Sequence, residues 1–588
     1  MPPVVRGIGM AQAAGPSPPN TKPPCREPPA SDRPIVVAAL TTGILVLATI
    51  LAPRALATPP RGGAGAALTV PPPMGWNDWA HYQCRVDARV VLANARALVK
   101  TGLAARGYKL VVVDDCWMRK HRNREGDLRA NRRKFPAGMR ALARSVRRLG
   151  LKFGIYEDAG YATCGGGAGS GTPPGGGRAH FLADARLFAS WGVDYLKLDG
   201  CHVFVPPGVS PAAAYRTAYR AASRALAHVA RPIIFEESAP AYFQGSPEWY
   251  DVLNWVRRYG ELWRTGSDIA TYDPRDPRRS RWASVMWNYD YNLELGRFQA
   301  PGRWDDPDMI IGGDPGLTRA ETRSQLALWS MMSAPLILGS DVARLSAASI
   351  RILGNRAVLA VDQDPLGRMA TLLERSPSED LLIKPLVNGR YAIALLNRGS
   401  RPLRVRVHPE RLGFGGAGCR LDAVDLWTGV RHRAARALVA RVGVHDTVIW
   451  SVRPDRRCGP PARVGVITRI RPHLARNQRT AEMYTRCLTA PGRVANCTGG
   501  ASQSWRVLAD GALRSGGKCL AEIGAAARLQ ACTASLFERW RYTILGRLVN
   551  RATRRCLTGP VNGPLAVERC GHNPASQIWS VPLPLGAP

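Results

Sequence analysis

Between about Leu68 and Asp362, short apolar runs alternate with longer amphipathic stretches, and few folds accommodate that alternation. The runs fall at Met74–Trp79, Tyr108–Trp117, Lys152–Asp158, Val193–Cys201, Pro232–Ser238, Leu262–Ile269, Arg303–Ile311 and Ala334–Asp341. Stretches with helical periodicity, such as Asp87–Thr101, Met139–Leu149 and Pro211–Val229, separate most of them. Eight strand–helix units in one domain predict an α/β fold, a (β/α)8 TIM barrel over residues 68–362. Each run turns polar at its C-terminal end, the face on which such barrels carry their active sites.

Beyond the barrel the helical period stops. Asp380–Pro385, Tyr391–Leu396, Leu403–Val407 and Val448–Val452 read as strands, with Asn388-Gly389 as a turn, predicting an antiparallel β-sandwich domain over 363–458. A repeat follows. Cys487, Cys497 and Trp505 are echoed by Cys519, Cys532 and Trp540, and again by Cys556, Cys570 and Trp579, with second cysteine and tryptophan eight, eight and nine positions apart. Three matched units, each with its own cysteine pair, predict a threefold module over 467–582, closed locally by disulfides. This unit resembles the ricin-type β-trefoil lectin module.

Residues 1–57 read as an export signal. A Pro- and Arg-containing leader precedes an apolar stretch, Ile35–Ala52, and Ala55-Leu56-Ala57 supplies a small-x-small cleavage pattern. The expected location is extracellular, with a membrane-anchored form if the leader is retained. Thirteen cysteines are present, and removing the leader with Cys25 leaves an even twelve, which favours disulfides in an exported chain. The net charge of +37 raises the question of a nucleic-acid partner. The arginines are scattered, as at Arg140, Arg144, Arg147 and Arg148, and no basic run is interleaved with aromatics, so neither a nucleic-acid nor a stable protein partner is inferred.

Carboxylates cluster at the strand ends: Asp114, Asp115, Asp158, Asp199, Glu236, Glu237, Asp268, Asp306 and Asp308. Such a ring suits glycoside hydrolysis, where one carboxylate attacks the anomeric carbon and another protonates the leaving oxygen. Clustered acids also suit calcium or magnesium. No Cys or His spacing matches zinc and no histidines converge, so no metal and no cofactor are expected.

The motifs narrow the choice. Met74-Gly75-Trp76-Asn77-Asp78-Trp79, Val113-Asp114-Asp115-Cys116-Trp117, Gly154-Ile155-Tyr156-Glu157-Asp158 and Tyr195-Leu196-Lys197-Leu198-Asp199-Gly200-Cys201 resemble glycoside hydrolase family 27. Trp263-Arg264 ahead of Asp268, Trp304-Asp305-Asp306-Pro307-Asp308-Met309, Ala334-Pro335-Leu336 and Asp362-Gln363-Asp364-Pro365 continue it in the family's order, over residues 70–455. The resemblance implies a retaining exo-α-glycosidase of the α-galactosidase type, with Asp199 as nucleophile and Asp268 as acid/base. Lys197 and Arg264 would keep Asp199 ionised, and Asp268 would carry a raised pKa. It further implies that Asp114 and Asp115 grip the hydroxyls at carbons 4 and 6, and that Lys197 and Arg264 reach ring hydroxyls. Trp76 and Tyr156 would wall the sugar, and Asp308 would lie near the ring. Cys84 would pair with Cys116 and Cys164 with Cys201, leaving Cys419 and Cys458 for the β domain.

The fifth strand departs from that pattern, reading Glu236-Glu237-Ser238-Ala239-Pro240-Ala241-Tyr242. α-Galactosidases of the family place a glutamate and a larger apolar residue where Ser238 and Ala241 align. Small residues there resemble the α-N-acetylgalactosaminidase branch, which accommodates a 2-acetamido group. β-L-Arabinopyranosides and isomaltose units are further substrates of the family, and a catalytically inactive glycan-binding protein is the alternative of another class. The expected partner is an oligo- or polysaccharide substrate. The trefoil is a second candidate for glycan binding, although Thr489, Ala521 and Thr558 stand where ricin-type modules place aspartates.

Overall fold

The computed structural model describes residues 70–469, 486–560, 562–572 and 574–585, so the expected leader lies outside the described residues. The strands β1 (Met74–Asn77), β2 (Leu110–Val113), β3 (Lys152–Asp158), β4 (Tyr195–Asp199), β5 (Ile234–Glu237), β6 (Leu262–Arg264), β7 (Trp304–Asp306) and β8 (Leu336–Leu338) form one sheet. Their order is β7-β6-β5-β4-β3-β2-β1-β8, and every pairing is parallel. Closure comes just past β7, where Ile310 bridges Leu338 in parallel and its N–H donates to the Ile337 carbonyl at 2.7 Å. Both faces of such strands are covered, so β2 reads Leu-Val-Val-Val and all four residues are buried.

The helices between β1 and β8 are α1 (Trp79–Tyr82), α2 (Ala88–Lys100), α3 (Gly138–Arg148), α4 (Phe181–Trp191), α5 (Pro211–Ala227), α6 (Ala239–Phe243), α7 (Trp249–Val256), α8 (Trp282–Leu293) and α9 (Arg319–Met332). Their ends are written in the sequence. The Asp87 side chain caps α2 by accepting from the Val90 N–H, Ser210 caps α5 ahead of Pro211, and Thr318 with Glu321 forms a capping box on α9. Along α2, Val91, Ala95 and Leu98 recur at helical spacing and are buried against the sheet.

The second domain comprises β9 (Thr371–Arg375), β10 (Glu379–Leu386), β11 (Arg390–Asn397), β12 (Leu403–Val407), β13 (Leu421–Asp425), β14 (Arg431–Ala435), β15 (Leu438–Val442) and β16 (Thr447–Pro454). Six of these form an antiparallel sheet in the order β14-β13-β16-β11-β10-β9, and β12 pairs with β15. Val405, Val407, Leu438 and Val442 of the pair share one core with Leu381, Ile393 and Trp450 of the sheet, which makes a sandwich. Asn388 and Gly389 turn the β10–β11 hairpin at φ 62° and 67°, a conformation these two residue types tolerate best. Arg375 and Arg398 bridge Asp380 to Asp290 of α8, a buried four-member ion cluster that ties the sandwich to the barrel.

In the third domain the repeat becomes a pseudo-threefold core. The Trp505, Trp540 and Trp579 indoles donate to the carbonyls of Leu488, Leu520 and Leu557, each the residue after the first cysteine of its unit, at 2.7, 2.9 and 3.0 Å. All three rings are buried, as the repeat leads one to expect of core residues. The bridges are Cys84–Cys116, Cys164–Cys201, Cys419–Cys458, Cys487–Cys497, Cys519–Cys532 and Cys556–Cys570.

Candidate active site

The C-terminal ends of β2, β4 and β6 meet over the barrel interior. Lys197 on β4 is buried, donates to Asp114 Oδ2 at 2.7 Å and lies 5.4 Å from the Tyr156 ring centroid. Burial opposes its charge, but Asp114 and Asp199 outweigh that penalty and hold the ammonium firmly protonated. Asn77 donates to the same Asp114 oxygen at 2.6 Å, and Asp78 accepts from the Asp114 N–H at 2.9 Å. Asp115 turns toward the β3–α4 loop, accepting from the Gly165 N–H at 2.6 Å. Only glycine allows that approach, since a Cβ at 165 would lie 2.7 Å from Cys116 Sγ and 3.0 Å from Asp115 itself.

Asp199 ends β4 and collects three donors: Tyr242 Oη at 2.5 Å, Tyr156 Oη at 3.0 Å and its neighbour's N–H, Gly200, at 3.0 Å. Burial pushes its carboxyl above the ordinary value, while Lys197 and the Tyr242 hydrogen bond pull it back. The Cys164–Cys201 bridge lies alongside, with Cys164 Sγ 3.5 Å from Asp199 and Cys201 Sγ 3.1 Å from Tyr242 Oη.

Asp268 follows β6 and faces the opening, with 63% of its side chain exposed. Arg264, itself buried, contacts Asp268 at 3.1 Å and Asp308 at 3.0 Å. Some desolvation acts on Asp268, but Arg264 and Lys197 overcome it and hold the carboxyl below its ordinary value; water screens that ion pair. The negative charge of Asp268 adds to the upward push on the Asp199 carboxyl. Trp79 lies close enough to Asp268 to favour its charged form as well. Asp308 accepts from the N–H groups of Ile269 and Met309, at 2.7 Å each, and its own backbone is left-handed at φ 78°, strain of the kind found at functional sites.

Ser238 is buried at the end of β5, with its Oγ lacking a hydrogen-bond partner, and Ala241 lies on α6 beside Tyr242. The fifth-strand segment therefore delivers two small side chains and one nucleophile-contacting phenol within five residues. Glu236 points deeper into the barrel, where Tyr195 Oη donates to it at 2.5 Å.

Asp114, Asp115, Tyr156, Lys197, Asp199, Ser238, Ala241, Arg264, Asp268 and Asp308 thus lie at or beside the barrel mouth. Trp76 requires a correction. It has no exposed surface and its indole donates to the Ser340 carbonyl at 2.9 Å, so it fills the barrel, and Trp79 takes the place at the rim. The expected protonation order is also reversed, because an exposed carboxyl beside a guanidinium ionises more readily than a half-buried one. Sequence reasoning missed Tyr242; its position after Pro240 at a strand exit was the available signal.

In the trefoil, Thr489 and Thr558 accept hydrogen bonds from the Nε2 atoms of Gln503 and Gln577, at 2.9 and 3.0 Å, and Ala521 has no polar atom to offer. Two of the three positions at which ricin-type modules place aspartates are therefore engaged within their own lobes, and the third is apolar.

Residues 71–364 match the family model described as alpha galactosidase A, and 378–452 match the alpha galactosidase C-terminal beta sandwich domain. Residues 480–579 match the ricin-type beta-trefoil lectin domain. The chain is 36% identical to alpha-galactosidase A of Aspergillus niger over 524 residues, covering 88% of this chain and 92% of that one. It is 36% identical to an alpha-galactosidase of Oryza sativa over 65% of its own length and 85% of the relative's. Among solved structures, alpha-galactosidase I of Mortierella vinacea superposes with a TM-score of 0.58 at 27% identity, over 68% of this chain and all of that one.

Proposed function

The chain belongs to the alpha galactosidase A family and is a glycoside hydrolase, and on that premise we propose that it releases terminal α-D-galactosyl residues from oligo- or polysaccharides by double displacement. Asp199 attacks the anomeric carbon, and Asp268 protonates the departing oxygen and then activates water. The observation that carries this reading is the pairing of a half-buried carboxylate, which accepts three hydrogen bonds and feels the charge of Lys197, with a solvent-facing one at the rim. A sugar in the pocket would cover Asp268 and draw Arg264 onto its hydroxyls. Both changes raise the Asp268 pKa, so the bound substrate would supply the protonation that the open site lacks.

A second reading concerns position 2 of the sugar. Ser238 and Ala241 flank the segment that carries Tyr242 to the nucleophile, and a buried hydroxyl without a partner suits an acetamido group. We infer that α-N-acetylgalactosaminides are also hydrolysed. The test compares 4-nitrophenyl α-galactoside with its 2-acetamido counterpart, with and without chelator, following the anomer first released by proton NMR. Release of the α-anomer, indifferent to chelator, supports the mechanism; initial release of the β-anomer rejects it. Ser238→Glu with Ala241→Leu should abolish the acetamido activity and spare the galactoside, and an unchanged preference would refute the second reading.

Export through the leader, and glycan binding by trefoil residues other than 489, 521 and 558, complete the proposal. No helix among the described residues is long and apolar enough to cross a membrane.

A further inference from the structure

Asp268 stands on a loop, residues 265–281, that is long and exposed toward its middle; beside Asp268 the Ser267 N–H and hydroxyl donate to Gln244, the Ile269 N–H to Asp308 and the Ala270 N–H to the Ser284 hydroxyl. An acid/base must be held to within a few tenths of an ångström to transfer its proton. The bond from Arg264 orients the Asp268 carboxyl, and the anchors at 267, 269 and 270 hold the first stretch of the loop.

A further anchor, toward the exposed middle of the loop, comes from the β1–α2 segment. Tyr272 donates its N–H to the Ala80 carbonyl at 2.7 Å, and Gln83 Nε2 donates to the Tyr272 carbonyl at 3.1 Å. The His81 ring stacks on the Tyr272 ring, with centroids 4.5 Å apart and planes within 7°. His81 Nδ1 lies 2.8 Å from Asp314 Oδ2, and as the partner is a carboxylate the imidazole donates. Arg281, at the far end of the loop, binds the same oxygen at 3.0 Å and reaches back to the Ala270 carbonyl at 3.3 Å. Asp314 is 3% exposed and belongs to the segment after β7. One buried carboxylate thus fastens both ends of a clasp: His81, which grips the loop four residues past Asp268, and Arg281, which closes the loop onto α8.

We propose that His81, braced by Asp314 and stacked on Tyr272, is a positioning residue for the acid/base Asp268. It touches neither substrate nor nucleophile. It holds the loop at Tyr272, so that Asp268, four residues before Tyr272, keeps its place beside Arg264 and near Trp79, two residues before His81. This inference rests on the assignment of Asp268 as acid/base.

The test separates proton transfer from everything else. A 2,4-dinitrophenyl α-galactoside loses its leaving group without a proton, whereas methyl α-galactoside needs one. For His81→Ala and Tyr272→Ala, kcat/KM on the methyl glycoside should fall by about tenfold or more, part of the roughly 10²–10⁴ that a general acid supplies, and on the dinitrophenyl glycoside by less than about threefold. Tyr272→Phe keeps the stacked ring and should match the wild type. If His81→Ala fails to fold, His81→Gln, which retains a donor for Asp314 but loses the stack, should give the same split. Equal losses on both substrates, or no loss on either, overturn the proposal. Failure of the wild type on both glycosides overturns instead the galactosidase reading on which it rests.

Discussion

Tyr242→Phe removes one oxygen from the surroundings of the nucleophile, and its effect can be worked out in advance. Asp199 accepts from Tyr242 at 2.5 Å, the shortest of its three hydrogen bonds. A hydrogen bond to a charged group contributes about 1.5–3 kcal/mol. Tyr242 is 39% exposed, so water partly replaces the lost donor and the lower figure applies. About 1.5 kcal/mol corresponds to roughly one pKa unit. The sign follows from the geometry: the phenol stabilises the carboxylate and lowers its pKa, so its loss raises it. Because Asp199 titrates above Asp268 in the open site, its ionisation sets the alkaline limb of the kcat/KM–pH profile; that limb should move up by about one unit, with kcat/KM on 4-nitrophenyl α-galactoside falling by about tenfold below it. Stopped assays across the pH range measure both. An alkaline limb that stays in place, or moves to lower pH, would show that Tyr242 does not act through the ionisation of Asp199.

Further expectations follow from the charges. Arg264 and Lys197 hold Asp268 low in the open site, where it sets the acidic limb of kcat/KM, and a bound sugar would shield it, so the acidic limb of kcat should lie at higher pH than that of kcat/KM; coincident acidic limbs would contradict that account. At the contact between barrel and trefoil, burial pushes Glu294 from 4.5 to about 7. A raised folded-state pKa means that its contribution is whole below about pH 4.5 and is lost as pH rises to about 7, a swing of about 3 kcal/mol. Glu294→Gln should therefore raise Tm at pH 8 and leave it unchanged at pH 4, and equal shifts at both would refute the assignment.

Much of this molecule is legible from residue order, because strand ends and cysteine repeats are local signals. Each of the eight sheet strands lies within an apolar run that precedes a polar residue, and three Cys–Cys–Trp units announce a threefold core whose indole bonds repeat residue for residue. Local signals fail where a side chain's direction depends on a turn. Trp76 and Trp79 stand three residues apart in one motif, yet the first points into the barrel and the second, on the turn of α1, reaches Asp268. Barrel closure through Ile310 beyond a three-residue β7 is likewise invisible to periodicity. The protonation order of Asp199 and Asp268 depends on exposure, which no spacing reveals. His81 and Asp314 are 233 positions apart and only tertiary structure joins them.

The claim on which the enzymatic account depends is that Asp199 bonds covalently to the sugar. Incubation with an activated fluorinated α-galactoside, whose glycosyl–enzyme turns over slowly, followed by peptide mass spectrometry, tests it directly. The account predicts one added glycosyl unit on the peptide containing Lys197-Leu198-Asp199-Gly200, and none in Asp199→Ala. A label on any other residue, or normal turnover by Asp199→Ala, would contradict it.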